Sequence, residues 1–274
     1  GPAREASFWQ DLCPWLHVGD AEMRRTASEA AFPAARAGAL RRSLIQDGYC
    51  TVPAGGLPWA VDVGEVARGV STLVAAGFPA AFILAYDEPW VMAAQLAPLA
   101  RAATGGNAAI FDWAAFHVGA AGTGAAAPAG WPPHRDRMSD RSALDGFRAD
   151  GTSRYVTFWL ALTDASELSS CLMCVPREHD AGYTAGDQHK SPMDTVFGTP
   201  AGYQHIRTLP VGAGGVLAFS HRLLHWGTAA DRRAAAPRTA IAFATADPAY
   251  EEPYLSPGLL PLPPLKARLP LVAG

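Results

Sequence analysis

Gly214-Gly215-Val216-Leu217-Ala218-Phe219-Ser220-His221-Arg222-Leu223-Leu224-His225-Trp226-Gly227 reads as a glycine turn, an apolar strand, and a histidine set before a second turn. Twelve residues separate His225 from Arg238, and Pro237-Arg238-Thr239-Ala240-Ile241-Ala242-Phe243 reads as the next strand. A loop of that length returns the chain antiparallel to its neighbour. Short strands divided by glycine- and proline-bearing turns run across residues 106–246. They predict a mainly β fold, with a double-stranded β-helix (jelly-roll, cupin-like) core of two facing sheets. Residues 1–105 are helix-rich, with helical lengths over 21–46 (interrupted at Pro33), 59–76 and 88–103. Gln46-Asp47-Gly48-Tyr49-Cys50-Thr51-Val52 reads as a helix end turning into the first strand. Residues 247–274 form a proline-rich tail, expected to wrap the surface. A chain of 274 residues can bury a large core, and it is expected to be one domain with N-terminal and flanking α-helices.

Upstream, Trp131-Pro132-Pro133-His134-Arg135-Asp136 cannot begin as helix, because proline lacks an amide hydrogen and holds the residue before it extended. On an extended segment His134 and Asp136, at i and i+2, project to one face. A distant histidine joining that pair completes a two-histidine, one-carboxylate face of an octahedral metal and leaves the other positions open. Non-haem Fe(II) oxygenases use this arrangement. His221 and His225 both compete for the third place, since residues four apart face the same way on a strand and spacing does not separate them. Arg238, on the returning strand, suits a bidentate salt bridge to the far carboxylate of a dicarboxylate co-substrate.

These motifs resemble the phytanoyl-CoA dioxygenase-like family of Fe(II)- and 2-oxoglutarate-dependent oxygenases. The likeness covers residues 41–243 and is carried by Trp131 to Asp136, Trp159-Leu160-Ala161-Leu162-Thr163-Asp164-Ala165, Ser169-Ser170-Cys171-Leu172-Met173-Cys174-Val175-Pro176, and Gly215 to Gly227. The family's pattern puts the distal histidine six residues after a strand phenylalanine, which from Phe219 gives His225. It implies His134, Asp136 and His225 as Fe(II) ligands, Arg238 on the distal carboxylate of 2-oxoglutarate, and Trp159 beside that co-substrate. Strand alternation in Tyr155-Val156-Thr157-Phe158-Trp159-Leu160-Ala161 then brings Thr157 to the same pocket. Two departures from the pattern fall on the substrate-side loop: Ser169-Ser170 stands where the family has asparagine-glycine, and Arg177-Glu178-His179 where it has glycine-serine-histidine. The implied activity is O2-dependent oxidation of an aliphatic C–H of a small-molecule metabolite, with release of succinate and CO2. Hydroxylation is the expected outcome, with desaturation or cyclisation as alternatives. Asp136 disfavours halogenation, because related halogenases have a small residue there. A metal hydrolase using the same ligands, or a catalytically silent metal-binding module, are the readings from other classes; the first gives Arg238 no role.

Substrate-side candidates are His117, which shares a face with Trp113, together with Arg137 and Tyr155. Arg135, Arg141 and Arg177 also offer anion partners, though arginines near a site mouth more often pair with carboxylates such as Asp140 and Asp145. A small polar or amphipathic metabolite, of the kind met in specialised metabolism, is the expected substrate. Residues 119–130, almost wholly glycine and alanine, and the polar stretch 177–204 read as mobile loops at a barrel mouth. Cys171 and Cys174 form a C-x-x-C, but on a strand i and i+3 point to opposite faces and no second pair completes a zinc site. Both read as buried, reduced core residues, which fits a soluble, cytoplasmic protein. A net charge of −3 without a basic cluster lacks the electrostatic footprint of nucleic-acid binding. No apolar run reaches the roughly 20 residues that span a bilayer. Gly1-Pro2 reads as a protease-cleavage scar.

Overall fold

Five short helices lead into the sheets: α1 Ala6–Leu12, α2 Ala21–Glu29, α3 Ala37–Gln46, α4 Val63–Ala75 and α5 Glu88–Thr104. A computed structural model describes residues 2–120, 130–188, 190–254 and 261–273. Asp20 and Asp62 cap α2 and α4, each carboxylate accepting from two of the first free amides. Helix α3 ends where the sequence predicts, at Gln46-Asp47-Gly48, and β1 (Tyr49–Val52) follows. Gly48 turns the chain at φ 85°, and a Cβ there would lie 3.0 Å from the Tyr183 ring.

The larger sheet has the order β1-β7-β4-β9-β2, with β2 Ala108–Val118, β4 Tyr155–Ala161, β7 Val216–Ser220 and β9 Arg238–Ala246. The smaller has the order β3-β8-β5-β6, with β3 Trp131–His134, β5 Leu172–Val175, β6 Arg207–Leu209 and β8 Leu224–Gly227. Every pairing is antiparallel. Alternation sorts the side chains. Trp159, Leu217, Phe219 and Ala242 pack toward Leu172 and Cys174 of the smaller sheet and the adjoining Cys171. Val156, Phe158, Leu160, Ile241 and Phe243 pack the other way, against Leu44, Val70, Leu96 and neighbouring helical residues.

Burial of the larger sheet on both faces corrects the expectation of a mainly β chain. Among the described residues helix content, 39%, exceeds strand content, 22%. The helices are needed as a second layer, because the outward face of β4 and β9 is as apolar as the inward one.

The tail is also corrected. Where the tail is expected to wrap the surface, its last part forms a helix, α8 (Leu265–Ala273), with Leu265 and Leu269, one turn apart, packed on the main core. Arg268 is fully buried there, its Nη1 2.7 Å from Asp87 and also donating to the Ala85 carbonyl.

Stretch 177–204 is likewise built rather than loose. It carries α6 (Gly182–Ala185) and α7 (Pro192–Phe197), and Asp180 and Asp187 within it are buried against Arg135 and Arg222. Its polarity, which reads as that of a mobile loop, goes into this internal ion-pair cluster. Most of the other stretch expected to be mobile, at 121–129, lies outside the described residues. The described cysteines are free and buried, and burial pushes the Cys50 and Cys174 thiols up to about 12. No described helix is long and apolar enough to cross a membrane.

Candidate metal and co-substrate site

Strand β3 lies antiparallel to β8 with His134 directly opposite His225. Their imidazole centroids are 4.3 Å apart. Asp136, just past the end of β3, brings Oδ1 to 3.8 Å from His134 Nε2 and 3.6 Å from His225 Nε2. One ligand atom from each of the three residues lies within 4.8 Å of the others. These separations exceed a hydrogen bond and leave room for an ion between them.

Backbone carbonyls orient both rings. His134 Nδ1 is 2.8 Å from the Pro132 carbonyl and His225 Nδ1 is 3.0 Å from that of Leu223. A proton on each Nδ1 leaves the Nε2 lone pairs facing the shared point. Burial lowers the His225 pKa, favouring the neutral form that binds a metal. Thr157 donates from Oγ1 to Asp136 Oδ2 at 2.5 Å, which holds the carboxylate with its other oxygen toward the histidines. Thr157 lines the cavity as alternation predicts, but its hydroxyl serves the carboxylate.

Arg238 opens β9, opposite Val118, and is buried. Its Nε donates to the Ser170 carbonyl at 3.1 Å and its Nη2 to Ser170 Oγ at 3.3 Å. The guanidinium carbon sits 5.3 Å from the Trp159 ring centroid. Nη1 is buried without a hydrogen-bond partner among the described residues, and desolvation pulls the Arg238 pKa down to about 10. A buried guanidinium with no facing carboxylate is costly, and an incoming carboxylate relieves that cost. Convergent Nε2 atoms and carboxylate oxygen suit Fe(II), and the open edge of Arg238 suits the distal carboxylate of 2-oxoglutarate. The donor set therefore fits both groups.

A cavity of about 630 Å³ joins these elements. His134, Asp136, His225, Arg238, Trp159 and Thr157 all line it, as do His117, Arg137 and Tyr155. His117 pairs with Thr239 and so shares the face of Trp113, opposite that of Arg238; its buried Nδ1 has no partner among the described residues. Arg137 stacks 4.3 Å from the Tyr155 ring and gives its charge to Glu251 and Asp112. Arg135 turns inward to Asp180 and Asp187, and exposed Arg141 pairs with Asp145. Arg177 donates to the Ile45 carbonyl.

Sequence reasoning gave no role at this site to Ser170, Asp112 or Glu251. For Ser170 a signal existed: it stands where the resembled pattern has glycine, and it adopts φ 69°, the backbone region that favours glycine.

His221 is placed elsewhere, fully buried with Nδ1 2.8 Å from Ser153 Oγ and Nε2 3.0 Å from the Ser142 carbonyl. Burial lowers its pKa from 6.5 to about 4. The unfolded chain thus takes up this proton first as pH falls. The stability held by neutral His221 is complete above pH 6.5 and is lost as pH drops toward 4. It amounts to about 3 kcal/mol. Urea unfolding at stepped pH should show this fall in the wild-type protein and a flatter profile in His221→Gln. Parallel profiles would refute the assignment.

The phytanoyl-CoA dioxygenase (PhyH) family model matches residues 84–239. Among curated proteins no sequence matches this one. Several solved structures share the fold. The epimerase SnoN, in complex with Fe3+, alpha ketoglutarate and nogalamycin RO, is 22% identical at TM-score 0.59, over 78% of this chain and 85% of that one. The non-heme alpha ketoglutarate dependent carbocyclase SnoK from nogalamycin biosynthesis is 15% identical at TM-score 0.55, over 81% of this chain and 86% of that one. EctD from S. alaskensis, with 2-oxoglutarate and 5-hydroxyectoine, is 15% identical at TM-score 0.53, over 85% of this chain and 83% of that one. At such identities the likeness speaks for the fold.

Proposed function

Since the chain belongs to the phytanoyl-CoA dioxygenase family and is thus a non-haem Fe(II)- and 2-oxoglutarate-dependent enzyme, we propose that it oxidises an aliphatic C–H of a small-molecule metabolite, with hydroxylation as the outcome. One observation carries the reading: a buried Arg238 guanidinium, with no carboxylate facing it among the described residues, lies on the wall of the cavity into which His134, Asp136 and His225 converge. When bound, Fe(II) with 2-oxoglutarate and O2 supplies an oxidant strong enough to remove hydrogen from an unactivated C–H bond, releasing succinate and CO2.

The protein's share of the work is positioning. His134 and His225 offer neutral Nε2 donors, aimed by the Pro132 and Leu223 carbonyls. Asp136 supplies the anionic ligand and is held by Thr157. Arg238 takes the distal carboxylate of the co-substrate, and Trp159 walls that space. With a carboxylate at Asp136, no ligand place is vacated for halide, which argues against halogenation. Fold relatives described as an epimerase and a carbocyclase keep other oxidative outcomes in view, and these depend on where the substrate carbon is held. Four buried free thiols support a reducing, cytoplasmic setting.

The test is spectroscopic and chemical. Anaerobic protein given Fe(II) should develop a visible metal-to-ligand charge-transfer band on adding 2-oxoglutarate, and on admission of air it should release succinate in a metabolite screen. A protein that binds Fe(II) yet shows neither response would overturn the proposal.

A further inference from the structure

We infer that Asp112 selects the substrate, and that the group it selects is a protonated amine. This rests on the oxygenase reading above and adds a substrate class to it.

Asp112 owes its place to a bulge in β2. The register runs Ala109 to Thr245 and then jumps to Trp113 opposite Phe243, with Phe111 at φ 65° inside the irregularity. An aromatic residue in left-handed backbone is strained, and such bulges re-aim side chains beside active sites. Here the bulge turns the Asp112 carboxylate to the cavity wall. Oδ2 accepts from the Tyr155 hydroxyl at 2.9 Å and from Arg137 Nη2 at 3.0 Å. Oδ1 accepts nothing among the described residues, and the side chain is 40% exposed.

Arg137 is not available to an anion. Its Nε donates to Glu251 Oε2 at 2.9 Å, its Nη2 to Glu251 Oε1 and Asp112, and its Nη1 to the Asp136 carbonyl. The nearby charges used for co-substrate and for structure are already paired. Fe(II) and Arg238 balance Asp136 and the two carboxylates of 2-oxoglutarate, while Arg135 and Arg222 balance Asp180 and Asp187. Burial, reinforced by Arg238, lowers the His117 pKa. Asp112 has to share Arg137 with Glu251, which takes two of the guanidinium's hydrogen bonds, so the Asp112 carboxylate is only partly neutralised. Much of the rest of the lining is apolar, including Phe78, Phe116 and Trp131. A carboxylate or phosphate entering here meets the Asp112 carboxylate, whereas an ammonium gains a charge-assisted hydrogen bond to Oδ1, unpaired among the described residues.

The experiment is calorimetric titration, without O2, of the Fe(II) and 2-oxoglutarate-loaded protein with phenylpropylamine, phenylpropanol and phenylpropanoate. The amine should bind at least about tenfold more tightly than the carboxylate. Asp112→Asn, which keeps shape and removes charge, should bring the two within about twofold. In wild-type protein, added salt should weaken the amine and leave the alcohol unchanged. No binding of the amine, equal or tighter binding of the carboxylate, or an amine preference that survives Asp112→Asn would each overturn the inference. The visible band formed before any probe is added reports on the oxygenase reading separately. If that band forms and the preference is absent, only the role of Asp112 fails.

Discussion

Alanine at His134, Asp136 or His225 is expected to abolish the visible band of the anaerobic Fe(II) and 2-oxoglutarate-loaded protein, and turnover with it. Each residue supplies one of three atoms within 4.8 Å of one another, and no other group of three metal-binding side chains is found among the described residues. No neighbour therefore stands ready to replace a lost ligand. His221→Ala should retain the metal and the band, because its ring is committed to Ser153 and the Ser142 carbonyl. Metal analysis of protein purified without air, together with circular dichroism, separates ligand loss from misfolding. An unchanged band in folded His134→Ala and Asp136→Ala protein would refute the centre, and loss of metal from His221→Ala with retention in His225→Ala would move the distal ligand.

Arg238→Ala is expected to raise the 2-oxoglutarate concentration needed for half-formation of the same band by tens to thousands of fold. Removing one partner of a buried charge pair costs about 2–5 kcal/mol, and about 1.4 kcal/mol is tenfold. Arg238→Lys should fall between, because one ammonium cannot reproduce a fork held along its Nε–Nη2 edge by Ser170 and open at Nη1. Iron affinity measured without co-substrate should change little, since Arg238 supplies no ligand atom. A folded alanine variant that saturates at the wild-type 2-oxoglutarate concentration would sink this role.

Both predictions rest on residues whose significance is written in short stretches of chain. Proline before His134 forces extension, and extension places His134 and Asp136 on one face. A glycine turn, an apolar strand and a histidine before a turn predict strand up to His225, but the structure breaks it into β7 and β8 in different sheets, and the loop after β8 crosses between sheets so that β9 and its Arg238 pair with β4 and β2 rather than returning beside β8. Spacing could not divide His221 from His225, and a resemblance was needed to favour one. Packing does divide them: His225 stands across the ladder from His134, while His221 turns away into a pocket of carbonyl and hydroxyl oxygens.

By itself, then, the sequence determined the donor types, their order, and the strand-and-turn frame that bears them, because those depend on backbone rules acting over a few residues. Only the tertiary structure decided how each charge is spent. Arg135 and Arg137, two residues apart, go to opposite ends: one into a buried cluster with Asp180 and Asp187, the other to Glu251, 114 residues away, and to Asp112 on a bulged strand. The same holds for the polar stretch that proved to be anchored, the tail that closed as a helix, and the second helical layer on the larger sheet. An ionised side chain takes as its partner whatever the fold brings within a few ångströms, and that choice leaves no mark in the residues beside it.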